Sequence, residues 1–288
     1  MNEITLQSYA KLNLALDVLR RRDDGYHELA MIMQSIALCD IVTLTKTDAG
    51  ISISCDNPRI PIGEKNIAYK AAQTFFAQLG KQFGVNIHIE KNIPSGAGLA
   101  GGSANAASVL IGLNELTEFP FSPERLTELG KTVGADVPFC VSAQLANGNF
   151  CAISEGIGEI LTPITPLDGV IFVLVKPKFP VSTKWAFENL DISKISRRPN
   201  IEKIVKALAK RDIAKISKNT ANALEGTVTA RYTLIEKLKN EMKAAGGKLC
   251  LMSGSGSTVF GVFDDKTKAH KAFEHFEQTQ DFAWISGF

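Results

Sequence analysis

The sequence predicts an α+β protein. Segments with the two-residue alternation of strands and segments with the 3.6-residue periodicity of helices occur along all 288 residues. They interleave without a regular strand–helix repeat, which argues against a doubly wound parallel sheet. An apolar fraction of 45% allows a sizeable core, and a charged fraction of 22% is ordinary for a globular domain.

The first strand is predicted over residues 4–19. Its even positions from Ala10 to Leu16 are apolar, whereas Lys11 and Asn13 point to the opposite face. We therefore expect one buried face and one that borders solvent or a cleft. A loop follows at 21–28. The other strands expected before residue 160 are 36–47, 51–56 and 84–94, and the helices are 66–80, about 103–116 and 122–134.

A domain boundary is predicted in the segment 161–169, where two prolines and a glycine separate apolar runs. The expected domains are therefore 1–162 and 163–288. Further strands are expected at 170–177, 248–252, 258–263 and 283–287. Further helices are expected at 182–190, within 200–218, in a long segment that ends at Gly246–Gly247, and between the last two strands.

Composition excludes several classes of protein. The net charge is only +2, so nothing global indicates a nucleic-acid or membrane partner. The five cysteines are widely spaced and form no CxxC pair or Cys/His cluster, so we expect neither a disulfide scaffold nor a metal site. The start of the sequence lacks the pattern of a signal peptide, and the chain is expected to be cytoplasmic. Oligomeric state stays open, a homodimer included.

The segment "NIPSGAGLAGGSANA" (92–106) has four glycines between residues 96 and 102 and leads into a predicted helix. Glycines let main-chain N–H groups approach a ligand, and the start of a helix favours an anion. A phosphate-binding loop is therefore expected. The alternative is that the glycines allow close packing between a turn and a helix, although packing usually needs only one or two.

Three well-known glycine loops fit this segment poorly. A P-loop needs a lysine where Gly102 stands. The dinucleotide pattern GxGxxG matches at Gly96, Gly98 and Gly101, but no second strand ends in an acidic residue at the expected distance. The VAIK, HRD and DFG segments that accompany a protein-kinase loop are absent.

Several motifs together carry a resemblance to a known family. "PSGAGLAGGSANA" (94–106) resembles the central phosphate-binding motif of the GHMP kinases, which include galactokinase, homoserine kinase and mevalonate kinase. "SGSGST" (253–258) resembles the C-terminal glycine motif of that family. "AKLNLALDV" (10–18), "DGYHEL" (24–29) and "GADVPF" (134–139) resemble segments of members with a nucleotide-bearing substrate. The motifs occur in order along nearly the whole chain.

The resemblance implies a two-lobed fold, with an N-terminal β/α lobe like that of ribosomal proteins and a ferredoxin-like C-terminal lobe. It implies ATP as phosphoryl donor, with Mg²⁺ bridging its phosphates and few or no dedicated protein ligands for the metal. The implied acceptor is a small molecule, a cytidine-diphosphate-linked methylerythritol. The implied ATP-binding residues are Asn66, Pro94, Ser95, Gly96, Ala97, Gly98, Leu99, Ala100, Gly101, Gly102, Ser103 and Ala104.

The resemblance also implies a catalytic pair. Asp136 would accept the proton of the attacking hydroxyl, and Lys11 would polarise that hydroxyl or steady the aspartate. Phosphoryl transfer needs positioning and charge neutralisation more than covalent chemistry, so this pair suits it. Taken alone, Lys11 is more often a solvated residue and Asp136 a turn residue. The sequence leaves open whether Asp136 removes the proton or only positions the hydroxyl.

The implied substrate-binding residues are Asn13, Tyr26, His27, Phe187, Gly254 and Gly256. Tyr26 and His27 would line the cytidine pocket, although Asp24 and Gly25 beside them equally indicate a surface turn. Phe187 would stack on the cytosine, with Trp185 as a rival. Asn66 would contact adenine, although it is also a natural N-cap.

Some positions depart from the family pattern. Ala100 stands where relatives often have glycine, and Ala223 replaces an aspartate in "NALE" (222–225). The segment 197–219 has eight basic and two acidic residues, which indicates a solvated helical face rather than a substrate-collecting surface. Two other functions stay open: another GHMP kinase, of homoserine or mevalonate type, or a non-catalytic nucleotide- or RNA-binding protein. An intact pair of Lys11 and Asp136 speaks against the second.

Overall fold

Two long antiparallel strands begin the chain in the computed structural model, which describes residues 1–48, 50–81 and 83–287. They are β1 (Glu3–Arg21) and β2 (His27–Thr47), and the turn between them is stabilised by a hydrogen bond from Arg22 N to Tyr26 O of 2.8 Å. The chain divides into two compact units. The first unit is Met1–Lys11, Ser35–Pro94 and Ala100–Asn149, and the second is Leu12–Gln34, Ser95–Leu99 and Phe150–Phe288, with Phe288 itself outside the described residues.

The first unit packs four helices against strands. Strand β4 (Gly84–Glu90) pairs antiparallel with β2 and parallel with β3 (Ile51–Cys55). Its alternate residues, including Ile87, are buried against the helices, so one face of the sheet forms the core. The helices are α1 (Ile67–Leu79), α2 (Gly101–Leu116), α3 (Pro123–Val133) and α4 (Val137–Leu145).

The second unit contains a four-stranded antiparallel sheet with the order β10-β7-β9-β8. Its strands are β7 (Ile171–Lys176), β8 (Leu249–Met252), β9 (Val259–Phe263) and β10 (Phe282–Ile285). Helices separate β7 from β8 and β9 from β10, which is the βαββαβ arrangement of a ferredoxin-like fold. This confirms the predicted C-terminal lobe. The unit also contains β5 (Cys151–Gly156) and β6 (Ile160–Pro163), with β5 paired to the start of β2.

The helices of the second unit are mostly short. They are α5 (Thr183–Glu188), α6 (Ile201–Leu208), α7 (Ile213–Asn219), α8 (Glu225–Arg231), α9 (Thr233–Ala244) and α10 (Lys266–Thr279), with a 3-10 turn at Ile192–Lys194. Several begin at a side chain that accepts a hydrogen bond from a first-turn N–H group, as Ser182 does for α5 and Asp265 for α10.

The α+β class and most predicted elements are confirmed, and several expectations need correction. Strand β1 is buried on both faces from Ala10 to Val18, where Lys11, Asn13 and Asp17 are buried along with the leucines between them. Strands β5 and β6 were not expected, and β6 overlaps the start of the segment predicted as a boundary. The expected long helix before Gly246 is two helices, α8 and α9, and the basic stretch forms α6 and α7. The boundary between residues 162 and 163 stays a prediction.

Among the described residues, no helix has the length and apolar character needed to cross a membrane.

Candidate active site

Helix α2 begins without a side-chain cap. The residue before it, Ala100, has φ 57° and ψ 26°, in the left-handed region, and Ala104 N donates to Ala100 O at 2.9 Å. The predicted start near Ser103 is wrong by two residues, because Gly101 and Gly102 belong to the first turn. That turn therefore presents main-chain N–H groups with little side-chain cover, which is the arrangement that attracts an anion.

Glycine is required at position 101 by close packing within the first unit. A Cβ there would lie 2.9 Å from Ile93 Cγ2 and 3.2 Å from Lys91 Nζ. At Gly102 a Cβ would meet only Ile67 Cγ2, at 3.4 Å. Close packing therefore explains one of these two glycines, and the exposed Gly102 is left as bare backbone on the helix start.

Asn66 lies at the N-terminus of α1, directly before Ile67. Its Oδ1 accepts from Ala68 N at 2.9 Å, and its Nδ2 donates to Pro61 O at 2.8 Å. The N-cap interpretation of Asn66 is confirmed. The adenine contact of Asn66 stays a prediction, and the packing of Ile67 on Gly102 places this residue beside the start of α2.

The segment Ser95–Leu99 belongs to the second unit and packs on the second glycine loop (residues 253–258). Ser253 Oγ donates to Gly98 O at 2.9 Å, and Thr258 N donates to Ala97 O at 3.3 Å. A Cβ on Gly98 would lie 2.1 Å from Ser253 O, so only glycine fits. The side chains of Ala97 and Leu99 are buried, whereas Ser95 and Gly96 are exposed.

Asn13 lies at the same place in the second unit. Its N–H donates to Ser253 Oγ at 3.3 Å, its Nδ2 contacts Met31 Sδ at 3.3 Å, and its Oδ1 would lie 3.4 Å from a Cβ on Gly254. Three predicted residues, Asn13, Gly98 and Gly254, are thus brought together. Gly256 is buried in the same loop, with φ 84°.

The second glycine loop is supported by residues that sequence analysis missed. Asn222 Nδ2 donates to Met252 O and to Gly254 O, both at 2.8 Å. Glu225 Oε1 accepts from Met252 N at 2.7 Å, and Glu225 Oε2 from Lys239 Nζ at 3.0 Å. Burial raises the pKa of Glu225, and the Lys239 charge opposes this. The "NALE" segment (222–225) was the sequence signal that could have identified them, because it contains both Asn222 and Glu225.

The charges of Lys11 and Asp136 both affect the pKa of one residue of the first unit, Cys140. Asp136 directly precedes α4, a favourable place for a negative charge, and its O accepts from Cys140 N at 3.1 Å. Burial raises the pKa of the Cys140 thiol, the Asp136 charge raises it further, and the Lys11 charge lowers it. Both predicted catalytic charges therefore lie within electrostatic range of one buried sulfur. The side chain of Lys11 is buried in β1.

His27 and Phe187 form a stacked pair in the second unit, with ring centroids 5.1 Å apart and an interplanar angle of 28°. Burial lowers the pKa of His27, and the nearby Arg21 charge lowers it further, so the imidazole is neutral near pH 7. Trp185 instead contacts Tyr232 edge-on, at 5.7 Å, beneath the Arg231 guanidinium. The two rivals for base stacking are thus in different surroundings, and only Phe187 faces a second predicted substrate residue.

The segment before Phe187, residues 179–183, is hydrogen-bonded to the second glycine loop. Thr183 Oγ1 and Ser255 Oγ are 2.9 Å apart, and Ser257 Oγ donates to Phe179 O at 2.7 Å. Tyr26 lies in the exposed turn before β2, where its N–H donates to Asp24 Oδ1 at 3.0 Å. The turn interpretation of this motif is therefore confirmed, and the substrate contact of Tyr26 stays a prediction.

Comparison with known proteins identifies the family. Residues 66–144 match the family described as GHMP kinases N terminal domain, and residues 204–280 match GHMP kinases C terminal. The chain belongs to the GHMP kinase family. Curated relatives of this GHMP kinase include one from Acetivibrio thermocellus, 46% identical over 280 residues, which covers 97% of each chain. Another, from Clostridium perfringens, is 45% identical, covering 93% of this chain and 92% of the relative. Both are named 4-diphosphocytidyl-2-C-methyl-D-erythritol kinase.

Solved structures agree with this GHMP kinase assignment. A crystal structure described as 4-(cytidine 5'-diphospho)-2C-methyl-D-erythritol kinase superposes with a TM-score of 0.82 at 32% identity, covering 99% of this chain and all of that one. A homoserine kinase from Cytophaga hutchinsonii superposes with a TM-score of 0.69 at 19% identity, over 100% of this chain and 95% of that one. The second match shows the shared fold alone. The predicted two-lobed GHMP fold is confirmed.

The close approach at Gly98 generates a test of the loop geometry. Gly98→Ala places a Cβ against the Ser253 carbonyl at φ 75°, whereas Gly169→Ala has a similar φ of 65° and no atom within 4 Å. Both variants carry the left-handed strain, and only Gly98→Ala adds the clash. Gly98→Ala should therefore lose about 1–3 kcal/mol more unfolding free energy, measured by urea denaturation. Equal losses of unfolding free energy in the two variants would show that the two glycine loops move apart to accommodate the Cβ without a measurable loss of stability.

Proposed function

We propose that this chain is an ATP-dependent 4-diphosphocytidyl-2-C-methyl-D-erythritol kinase, which phosphorylates the 2-hydroxyl of its substrate in non-mevalonate isoprenoid biosynthesis. The observation that carries the proposal is the 46% identity to a kinase of that name over 97% of both chains. ATP as donor follows from membership of a kinase family. The alternative substrates, homoserine and mevalonate, belong to proteins that resemble this chain far less in sequence.

The first glycine loop (94–104) would hold the phosphates of ATP. The uncapped start of α2 supplies N–H donors and the positive end of a helix dipole, and the hydroxyls of Ser95 and Ser103 would add donors. Mg²⁺ would neutralise charge on the phosphates. Among the described residues, no group of three or more His, Cys, Asp or Glu side chains could hold a metal. Mg²⁺ commonly binds through phosphate oxygens and water with only one or two protein carboxylates, so a dedicated protein cage is not needed.

Asp136 and Lys11 would carry the chemistry. The substrate 2-hydroxyl loses its proton to the Asp136 carboxylate as its oxygen attacks the γ-phosphorus, and ADP leaves with the bridging oxygen. The Lys11 ammonium offsets the negative charge that develops on the attacking oxygen. That both charges shift the pKa of the buried Cys140 thiol in the first unit supports a joint role for the pair.

His27 and Phe187 would recognise the cytosine. A neutral imidazole has one donor and one acceptor for the edge of a base, and the Phe187 ring offers a stacking face. The two rings contact each other here, so a base that enters between them must separate them. Asn13 and the second glycine loop would bind the part of the substrate that reacts. A cytoplasmic location and the absence of a nucleic-acid partner belong to this proposal.

The substrate assignment is tested by measuring ADP release with the cytidylyl substrate, mevalonate and homoserine side by side. ADP should form only with the cytidylyl substrate, and phosphorus NMR should place the new phosphate on the 2-hydroxyl. ADP formation with mevalonate or homoserine alone would reject the substrate. Nucleotide binding without ADP formation from any of them would favour a non-catalytic binding protein.

Asp136→Asn removes the proton acceptor and keeps the size of the side chain. Turnover should fall by about 10²–10⁴-fold, while the affinity for ATP, measured by calorimetry, changes little. Asp264→Asn is the control, because Asp264 is a half-exposed residue whose carboxylate pairs with Lys248. Unchanged turnover in Asp136→Asn would remove this residue from the mechanism.

Phe187→Leu and Trp185→Leu form a matched pair on helix α5. Loss of base stacking should raise the KM for the cytidylyl substrate about tenfold in Phe187→Leu, with the KM for ATP unchanged. Trp185→Leu should alter both constants less than about twofold, because its ring packs on Tyr232 and Arg231. The reverse pattern would assign the stacking role to Trp185.

A further inference from the structure

One buried carboxylate, Asp40, binds both ends of the first glycine loop within the first unit. Asp40 lies in β2 and is fully buried. Its Oδ1 accepts from Asn92 N at 2.8 Å and Ile93 N at 2.7 Å, immediately before the loop. Its Oδ2 accepts from Asn105 Nδ2 at 2.8 Å, in the second turn of α2, immediately after the loop.

Two further residues complete what we call the Asp40 cluster (Ser8, Asp40, Lys91 and Asn105). Lys91 forms an ion pair with Asp40, and its Nζ lies 3.2 Å from Asn105 Oδ1. Asn105 Nδ2 also donates to Ser8 Oγ at 3.1 Å. The side-chain amide of Asn105 therefore uses both its donors and its acceptor. The cluster lies directly beneath the start of α2, since a Cβ on Gly101 would be 3.2 Å from Lys91 Nζ.

Burying the charged groups of the Asp40 cluster costs desolvation free energy, which apolar side chains packed in the same place would not cost. A buried carboxylate is tolerated only when hydrogen bonds replace its water, and four donors do so here. These hydrogen bonds fix the distance between the residues that precede the first glycine loop, Asn92 and Ile93, and the residue that follows it, Asn105. Without that restraint the glycines would sample many conformations, and a ligand would have to order them on binding.

We propose that Asp40 and Asn105 are positioning residues, which hold the main-chain N–H groups at the start of α2 in the geometry that receives the phosphates of ATP. They act through the loop and not by contact with the nucleotide. The inference rests on the proposed function of that loop as the ATP site.

Asn105→Ala is the informative variant. Asp40→Asn would leave the Lys91 ammonium buried beside a neutral amide and can fail to fold.

Asn114→Ala is the matched control, because Asn114 is the same residue type on the same helix and is equally buried. Its side chain lies at the far end of α2, where it forms hydrogen bonds of 3.0 Å with Phe121 N and Phe121 O. Both variants should lose similar unfolding stability. Only Asn105→Ala should raise the KM for ATP about tenfold, with kcat and the KM for the second substrate nearly unchanged.

Hydrogen exchange separates this inference from the proposed function. In Asn105→Ala the amides of Asn92 and Ile93 should exchange faster, and in the unaltered protein ATP should slow exchange over residues 95–104. An unaltered KM for ATP in Asn105→Ala, or an equal rise in Asn114→Ala, overturns the positioning role while the loop remains the ATP site. If ATP leaves exchange over 95–104 unchanged in the unaltered protein, the loop is not the nucleotide site and both proposals fail.

Discussion

An uncapped helix start is the constraint on which the first unit depends. Side chains usually satisfy some of the first N–H groups of a helix, and none does so at α2. Ala100 also adopts a left-handed conformation, which costs an alanine about 1–2 kcal/mol. The surrounding packing offsets these costs, because Gly101 lies close against Ile93 and Ile67 at the start of α1 lies beside the exposed Gly102. The gain is a set of main-chain donors already oriented for an anion, so that little reorganisation is needed on binding.

A carboxylate paired with a lysine supports each glycine loop, fully buried at the first loop and mostly buried at the second. Asp40 and Lys91 lie beneath the first loop, and Glu225 and Lys239 lie beneath the second. In both cases the carboxylate also accepts main-chain N–H groups next to the loop, Ile93 in one and Met252 in the other. A glycine loop has few side chains that could fix its own conformation, so its restraint has to come from neighbouring residues.

Sequence patterns predicted the elements with strong periodicity and the motifs with unusual composition. Helix α1 was predicted to within one residue at each end, because Asn66 and Gly80 are clear start and stop signals. Strand β6 was missed because its four residues include Pro163, and the turn-like "GADVPF" motif hid the start of α4. The burial of Lys11 also escaped prediction, since alternation in a strand shows which side chains share a face and not what covers that face.

The sequence suggested candidate site residues, but it did not reveal the residues that support the two glycine loops. Glycines and the aromatic Phe187 are visible in a sequence, and a family resemblance attaches roles to them. Asp40, Asn105 and Asn222 are single polar residues within apolar stretches, with no spacing that links them. Their importance comes from contacts between residues far apart in the chain, such as the bonds from Asn222 to Met252 and Gly254. Only the folded structure shows these contacts.

Cys140 bears on how inhibitors of this enzyme should be designed. The charges of Lys11 and Asp136 both influence the Cys140 thiol, which makes this sulfur an attractive anchor for an irreversible compound. Electrophilic warheads react with thiolates, however, and burial together with the aspartate charge keeps this sulfur protonated. Acrylamides and chloroacetamides should therefore label it slowly, and a reversible compound is the better starting point.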